Sequence, residues 1–150
     1  AEDQIFSTII DSQLDGVIIL GGNIDYLKIP ESYLEGLQKL IASLPVLVVG
    51  RKLARYDYTC FERDQINCVQ MVTRHLLDKG YREMAFIGGS SNVYMTGQRV
   101  NAFLNTLNAA GIASVEVQDR VAGPGDEGVI AVTTGQAVFT NLQVKSLAAI

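Results

Sequence analysis

Short apolar runs closed by glycine alternate with longer stretches of helical period, and that alternation limits the chain to few architectures. Val17-Ile18-Ile19-Leu20, Val46-Leu47-Val48-Val49 and Met84-Ala85-Phe86-Ile87 are apolar at successive positions, so both faces of each strand are apolar. Runs of this kind suit parallel strands covered on both sides. Strands alternating with helices imply βαβ crossovers, hence an α/β fold of mostly parallel sheets with helices on both faces.

The helical stretches have their own signals. The first runs from about Asp3 to Gln13 with Ile5, Ile9 and Ile10 on one face, and Asp15-Gly16 ends it. Ser32-Tyr33-Leu34-Glu35 has the Ser-x-x-Glu form of a capping box, followed by Leu34, Leu37, Leu40, Ile41 and Leu44 at helical spacing. Pro45 stops that helix, because the residue before proline is pushed out of the α region. Residues 51–63 read as a polar, aromatic-bearing connection. Asp64 is an expected N-cap for a helix with Ile66, Val69, Val72 and Leu76 on its inner face, ending at Lys79-Gly80. A further helix is expected from Gly97 to Ala110 with Val100, Phe103, Leu104 and Leu107 inward. Beyond it come a strand over Val115 to Val121, a turn at Gly123-Pro124-Gly125-Asp126, a helix carrying Val129, Val132, Gln136, Phe139 and Leu142, and a strand over Leu147 to Ile150.

Composition removes several function classes. Twelve basic against sixteen acidic residues give a net charge of −4, and no Lys/Arg run offers a face to a phosphate backbone. These residues alone are therefore not expected to bind DNA. Two cysteines, Cys60 and Cys68, are too few for a disulfide scaffold or a Cys-rich zinc site, and free buried thiols are expected, although one bridge stays open. No apolar run reaches the roughly 18 residues of a membrane span. Both ends look cut: the chain opens without Met and stops within an apolar run. His75 is the sole histidine, which leaves no multi-His metal site and no catalytic constellation, so no metal, no cofactor and no enzyme activity are expected. Gly88-Gly89-Ser90-Ser91 lacks the Gly-x-x-x-x-Gly-Lys-Ser/Thr pattern of a phosphate loop.

In parallel sheets ligands sit beyond the carboxyl ends of the strands. Those ends are Gly21-Gly22-Asn23, Gly50-Arg51 and Gly88 to Thr96. Arg99 is expected near the start of a helix, where a cation is mildly unfavourable and calls for a compensating partner. Its planar guanidinium can donate two parallel hydrogen bonds to a sugar diol or a carboxylate. Arg51 is a weaker candidate of the same kind.

From residue 45 onward the chain resembles the effector-binding domain of the lactose/galactose-repressor (LacI/GalR) family. The residues that carry the likeness are Pro45-Val46-Leu47-Val48-Val49-Gly50-Arg51 and Thr73-Arg74-His75-Leu76-Leu77-Asp78-Lys79-Gly80-Tyr81-Arg82-Glu83-Met84-Ala85-Phe86-Ile87-Gly88-Gly89. Arg99-Val100-Asn101-Ala102-Phe103 and Ala110-Gly111-Ile112 follow in the family's order, and Asp15-Gly16-Val17-Ile18-Ile19-Leu20 precedes them.

The resemblance implies a two-lobe, periplasmic-binding-protein-like fold, with a partial N-terminal lobe over 1–63 and a partial C-terminal lobe over 64–150. It implies a ligand-sensing domain of a cytoplasmic, dimeric, DNA-binding transcriptional regulator or repressor, with a sugar-like effector in the inter-lobe cleft. Operator DNA would be read by a helix-turn-helix outside this chain. The family's main cleft arginine falls on Arg99, and the polar contacts before it fall on Val93, Tyr94 and Met95, which are unusually apolar. The acid that often ends the second strand is Gly50 here. The implied ligand-binding set is Arg99, Met95, Tyr94, Ser91, Arg51 and Asn23. A secreted solute-binding protein of a transporter shares this fold and is the alternative.

Overall fold

In the computed structural model, residues 2–119 and 129–134 are described, with side chains for 4–113. The described residues form two compact units, one of those up to Asp64 with Asn92–Tyr94, the other of residues 65–91 and the described residues from Met95 onward. This division differs from a cut at residue 63 in that Asn92–Tyr94 belong with the first unit.

The first unit contains α1 (Glu2–Asp11), β1 (Val17–Leu20), α2 (Glu31–Ser43), β2 (Val46–Val49) and β3 (Thr59–Phe61). Its three strands are parallel in the order β1-β2-β3, with Val17 opposite Val46 and Leu47 opposite Thr59. β1 and β2 fall where the apolar runs predict them. β3 lies inside the segment expected to be a plain connection. A Thr-Cys-Phe stretch of three residues carries too little periodicity to announce a strand.

The unit's core joins Phe6 of α1, Tyr33, Leu37 and Leu40 of α2, Val46 and Val48 of β2, and Ile24 and Tyr58 from the connections. The Phe6 and Tyr33 rings pack 5.1 Å apart at a tilt of 58°, within the favoured range for aromatic pairs. α1 and α2 thus share one face of the sheet. On the other face Ile18, Leu20 and Phe61 are exposed, so cover on both faces is not what this unit shows among its described residues.

Nor does the expected capping box form. α2 starts at Glu31 with Pro30 at the cap position, and no side chain caps it. Pro30 holds a fixed backbone angle suited to starting a helix, and its carbonyl accepts from the Tyr33 and Leu34 amides. Ser32 is already one residue inside the helix, past the position from which its hydroxyl could cap it.

The second unit contains α3 (Gln65–Asp78), β4 (Ala85–Ile87), α4 (Tyr94–Ala109, whose first residue groups with the first unit), β5 (Ser114–Asp119) and β6 (Val129–Thr134). α3 begins directly after Asp64 and ends at Gly80, whose φ of 90° favours glycine. There Tyr81 N–H donates to Leu76 O and Gly80 N–H to Leu77 O, the paired bonds of a Schellman motif. The same pair recurs after α4, from Ile112 to Leu107 and from Gly111 to Asn108.

Val100, Phe103 and Leu107 form this unit's core, with Val69, Leu77, Met84, Phe86, Leu104 and Ile112 against them. The inner face of α3 is turned from the expected one: Thr73 is buried, whereas Ile66 and Val72 are exposed. Thr73 can be buried because its hydroxyl donates to Val69 O at 2.7 Å.

The sheet order here is β4-β6-β5, and both pairings are antiparallel. Among the described residues, parallel pairing is therefore confined to the first sheet. Residues 129–134, expected to begin a helix, are strand instead. Val-Ile-Ala-Val-Thr-Thr is rich in β-branched residues, which pack well on a pleated surface, and the spacing of Val129 and Val132 fits either reading. The expected turn at 123–126 and strand at 147–150 lie outside the described residues.

Candidate functional site

Beyond the carboxyl ends of β1 and β2 the chain makes two abrupt changes of direction. Gly21 and Gly22 follow β1 with φ of 66° and 89°, a region that side-chain-bearing residues avoid. A short 3-10 turn, Asn23–Asp25, comes next. It carries Asp25 back across the strand ends. A Cβ on Gly21 would lie 2.7 Å from Asp25 Oδ2, and one on Gly50 would lie 3.0 Å from Asp25 Oδ1. Asp25 therefore fills the space that a side chain at either glycine would take.

That placement costs the carboxylate solvent. Oδ1 is buried with no hydrogen-bond partner. Burial pushes the Asp25 carboxyl above its ordinary range, while a main-chain hydrogen bond from Arg51 and the Arg51 charge pull it back down.

Arg51 follows Gly50 at the end of β2. Its guanidinium carbon stands 4.2 Å from the centroid of the Tyr94 ring, a cation–π geometry. One nitrogen, Nη1, donates to Tyr26 O at 3.1 Å. Tyr94 reaches this place because Tyr26 bridges antiparallel to Val93, and Leu27 N–H donates to Asn92 O at 2.8 Å.

The connection from β2 to β3 holds the arginine from the other side. Tyr58 is 6% exposed; its hydroxyl donates to Arg51 O at 2.9 Å and accepts from Leu53 N–H at 2.7 Å. Lys52 N–H donates to Glu62 Oε1 at 2.7 Å, and the Lys52 ammonium donates to Tyr56 O and Tyr58 O. Burial raises the Tyr58 hydroxyl above its ordinary value, so it stays protonated and able to donate at neutral pH.

Of the expected ligand-binding residues, Asn23, Arg51 and Tyr94 belong to the first unit, and Arg51 and Tyr94 touch. Ser91, Met95 and Arg99 belong to the second unit. Arg99 is not at a helix start, because α4 opens five residues earlier, at Tyr94. Its Nε donates to Gln65 Oε1 at 2.7 Å, so a neutral amide supplies part of the compensation that was expected from a ligand. Beside it the Gly88 loop passes close over α4: a Cβ on Gly88 would meet the Phe86 ring at 2.9 Å and Thr96 Cγ2 at 3.3 Å. Asp25, Tyr26 and Asn92 were not singled out by sequence. Asp25 offered one faint signal, a lone acid three residues beyond a Gly-Gly strand end.

Among the described residues no group of three His, Cys, Asp or Glu is placed to hold a metal, and no helix is long and apolar enough to cross a membrane. Both cysteines are free, and Cys68 is exposed rather than buried. His75 is exposed on α3.

Parallel strands, crossover helices and candidate ligand donors at the strand ends define a periplasmic-binding-protein-like α/β protein. A solved structure supports this class: a PurR-family transcriptional regulator from Vibrio parahaemolyticus matches with TM-score 0.59 and 20% identity, over 73% of this chain and 39% of that one. The sequence is similar to those of several bacterial regulatory proteins. It is 32% identical over 90 residues to catabolite control protein A of Staphylococcus xylosus, covering 59% of this chain and 25% of that protein. It is 27% identical over 111 residues to the maltose regulon regulatory protein MalI of Escherichia coli K12, covering 73% of this chain and 30% of that protein. A third relative, the regulator MalR of Staphylococcus xylosus, is 26% identical over 94 residues, 63% of this chain and 26% of that protein. The chain thus spans between a quarter and a third of the length of these relatives. No family model matches it.

Proposed function

We propose that the chain is the ligand-sensing part of a cytoplasmic, DNA-binding transcriptional regulator of the LacI/GalR type, with a small sugar-like effector. The observation that carries this reading is Arg51: a guanidinium at the carboxyl end of a parallel strand, resting on Tyr94 and beside a cluster of glycines. The names of the relatives, all regulators, support it.

In this reading Arg51, Tyr94 and Asn23 are donors or walls of the first unit's ligand surface, and Ser91, Met95 and Arg99 serve the second. Operator DNA is bound as a homodimer through a helix-turn-helix outside this chain. Effector binding acts by differential affinity for two conformations, which is how a ligand biases a switch.

A thermal-shift screen of sugars and nucleosides tests the reading, followed by calorimetry on Arg51→Ala and Arg99→Ala. A raised midpoint that both variants abolish, with their own folding intact, is the expected result. No shift with any sugar or nucleoside, or unchanged affinity in both variants, would contradict it.

A further inference from the structure

Taking the proposed sensing role as given, we infer that the first unit's ligand surface selects a small molecule carrying an anionic group, a phosphate or a carboxylate, next to its hydroxyls. The basis is a fixed cation whose guanidinium no carboxylate bonds directly among the described residues. Among the described residues Arg51 has two side-chain partners, the Tyr26 carbonyl and the Tyr94 ring, and neither is a carboxylate. An ordinary surface arginine is mobile; this one is fixed by the ring beneath it, by Nη1, and by the Tyr58 hydroxyl on its own carbonyl.

Nη1 is engaged with Tyr26 O, so the rest of the fork remains for a ligand. A guanidinium edge presents parallel N–H donors that match the spacing of oxygens in a carboxylate or phosphate.

Asp25 feels the Arg51 charge, but neither it nor Glu62 bonds the guanidinium among the described residues. Asp25 is folded into the strand ends, its Oδ1 buried and its Oδ2 against Gly21. Glu62 accepts the Lys52 main-chain N–H. Position 50, adjacent in sequence, is glycine, and a Cβ there would stand 3.0 Å from Asp25 Oδ1, so no acidic side chain fits. A neutral sugar would leave the held positive charge unpaired, whereas an oxyanion completes it.

The experiment is calorimetric titration of the purified full chain with three probes: a hexose, its 6-phosphate and the corresponding hexuronate. At least one anionic probe should bind about tenfold or more tightly than the hexose, the scale of one charge-assisted hydrogen bond, and added salt should erode the difference. Which anion prevails separates phosphate from carboxylate. Arg51→Gln should abolish the preference, and Arg51→Lys, which keeps the charge, should retain part of it. Equal loss in both variants would assign the effect to packing on Tyr94 and overturn the inference. Equal binding of hexose and anions would overturn it too, while leaving the sensing role intact. Binding of none of the three would overturn it as well, and the sensing role would then be decided by the wider screen of sugars and nucleosides.

Discussion

Replacing Gly50 with alanine tests the packing of Asp25 across the strand ends. Gly50 is not among the glycines with positive φ, so alanine meets no backbone penalty there. Its methyl group would sit 3.0 Å from Asp25 Oδ1 and 3.7 Å from Cγ and Oδ2. The carboxyl group has little room to retreat, because Gly21 stands on its other side, where a Cβ would be 2.7 Å from Oδ2. Overpacking of this kind costs about 1–3 kcal/mol. In an Asp25→Ala background the collision is gone, and Gly50→Ala should stabilise by about 0.4–1 kcal/mol by restricting the unfolded chain. The change of sign makes the coupling energy on the order of 2 kcal/mol. Urea unfolding of the four proteins, followed by tyrosine fluorescence, measures it. If Gly50→Ala costs the same with and without Asp25, the carboxylate is not where this reasoning needs it.

Other perturbations separate individual contacts. Leu37→Ala and Leu107→Ala each empty a site with 0% exposure and should cost about 2–5 kcal/mol in denaturant melts. Tyr58→Phe removes two hydrogen bonds from a buried hydroxyl and should cost about 1–3 kcal/mol, whereas an unchanged midpoint would mean the loop does not need that brace. Ser32→Ala should change stability by less than about 0.5 kcal/mol, because Pro30 holds the cap position of α2 and Ser32 lies inside the helix; a loss of about 1 kcal/mol would restore the capping box. Burial raises the folded Asp25 pKa above the ordinary carboxyl value, so the folded protein holds that proton to higher pH than the unfolded chain does. Stability relative to Asp25→Asn should therefore rise as pH falls through the raised value and level off below 3.8. A difference that stays flat across that window in paired melts would refute the burial of this group.

What the sequence disclosed follows from how local each signal is. β1 and β2 read correctly because four apolar residues between glycine or proline punctuation admit few alternatives. The Schellman ends at Gly80 and Gly111 are equally local. The family resemblance supplied the two-lobe class, which composition and spacing alone would not. α4 starts three residues before its expected position because Tyr94 to Thr96 follow a glycine-rich loop and bear no cap signal.

The misses share a dependence on distant partners. β3 exists through pairing with β2, and β6 through pairing with β4 and β5; no window centred on either stretch contains those neighbours. Likewise the bridge of Tyr26 to Val93, which brings Tyr94 under Arg51, joins residues far apart in sequence. Asp25 carried no motif, since its role is to fill space left by two glycines. Arg99 drew attention for its place in the family pattern, while its bond to Gln65 spans 34 positions.

Amide-shift mapping of the isotope-labelled chain, titrated with a hexose, its 6-phosphate and the corresponding hexuronate, puts the central claim to its most direct test. The account predicts shifts concentrated at Gly21, Gly22, Gly50, Arg51 and Tyr94, stronger with an anionic probe than with the hexose. Shifts confined to other regions, such as the middle of α3 around Thr73 and His75, or no shifts with any of the three, would contradict it.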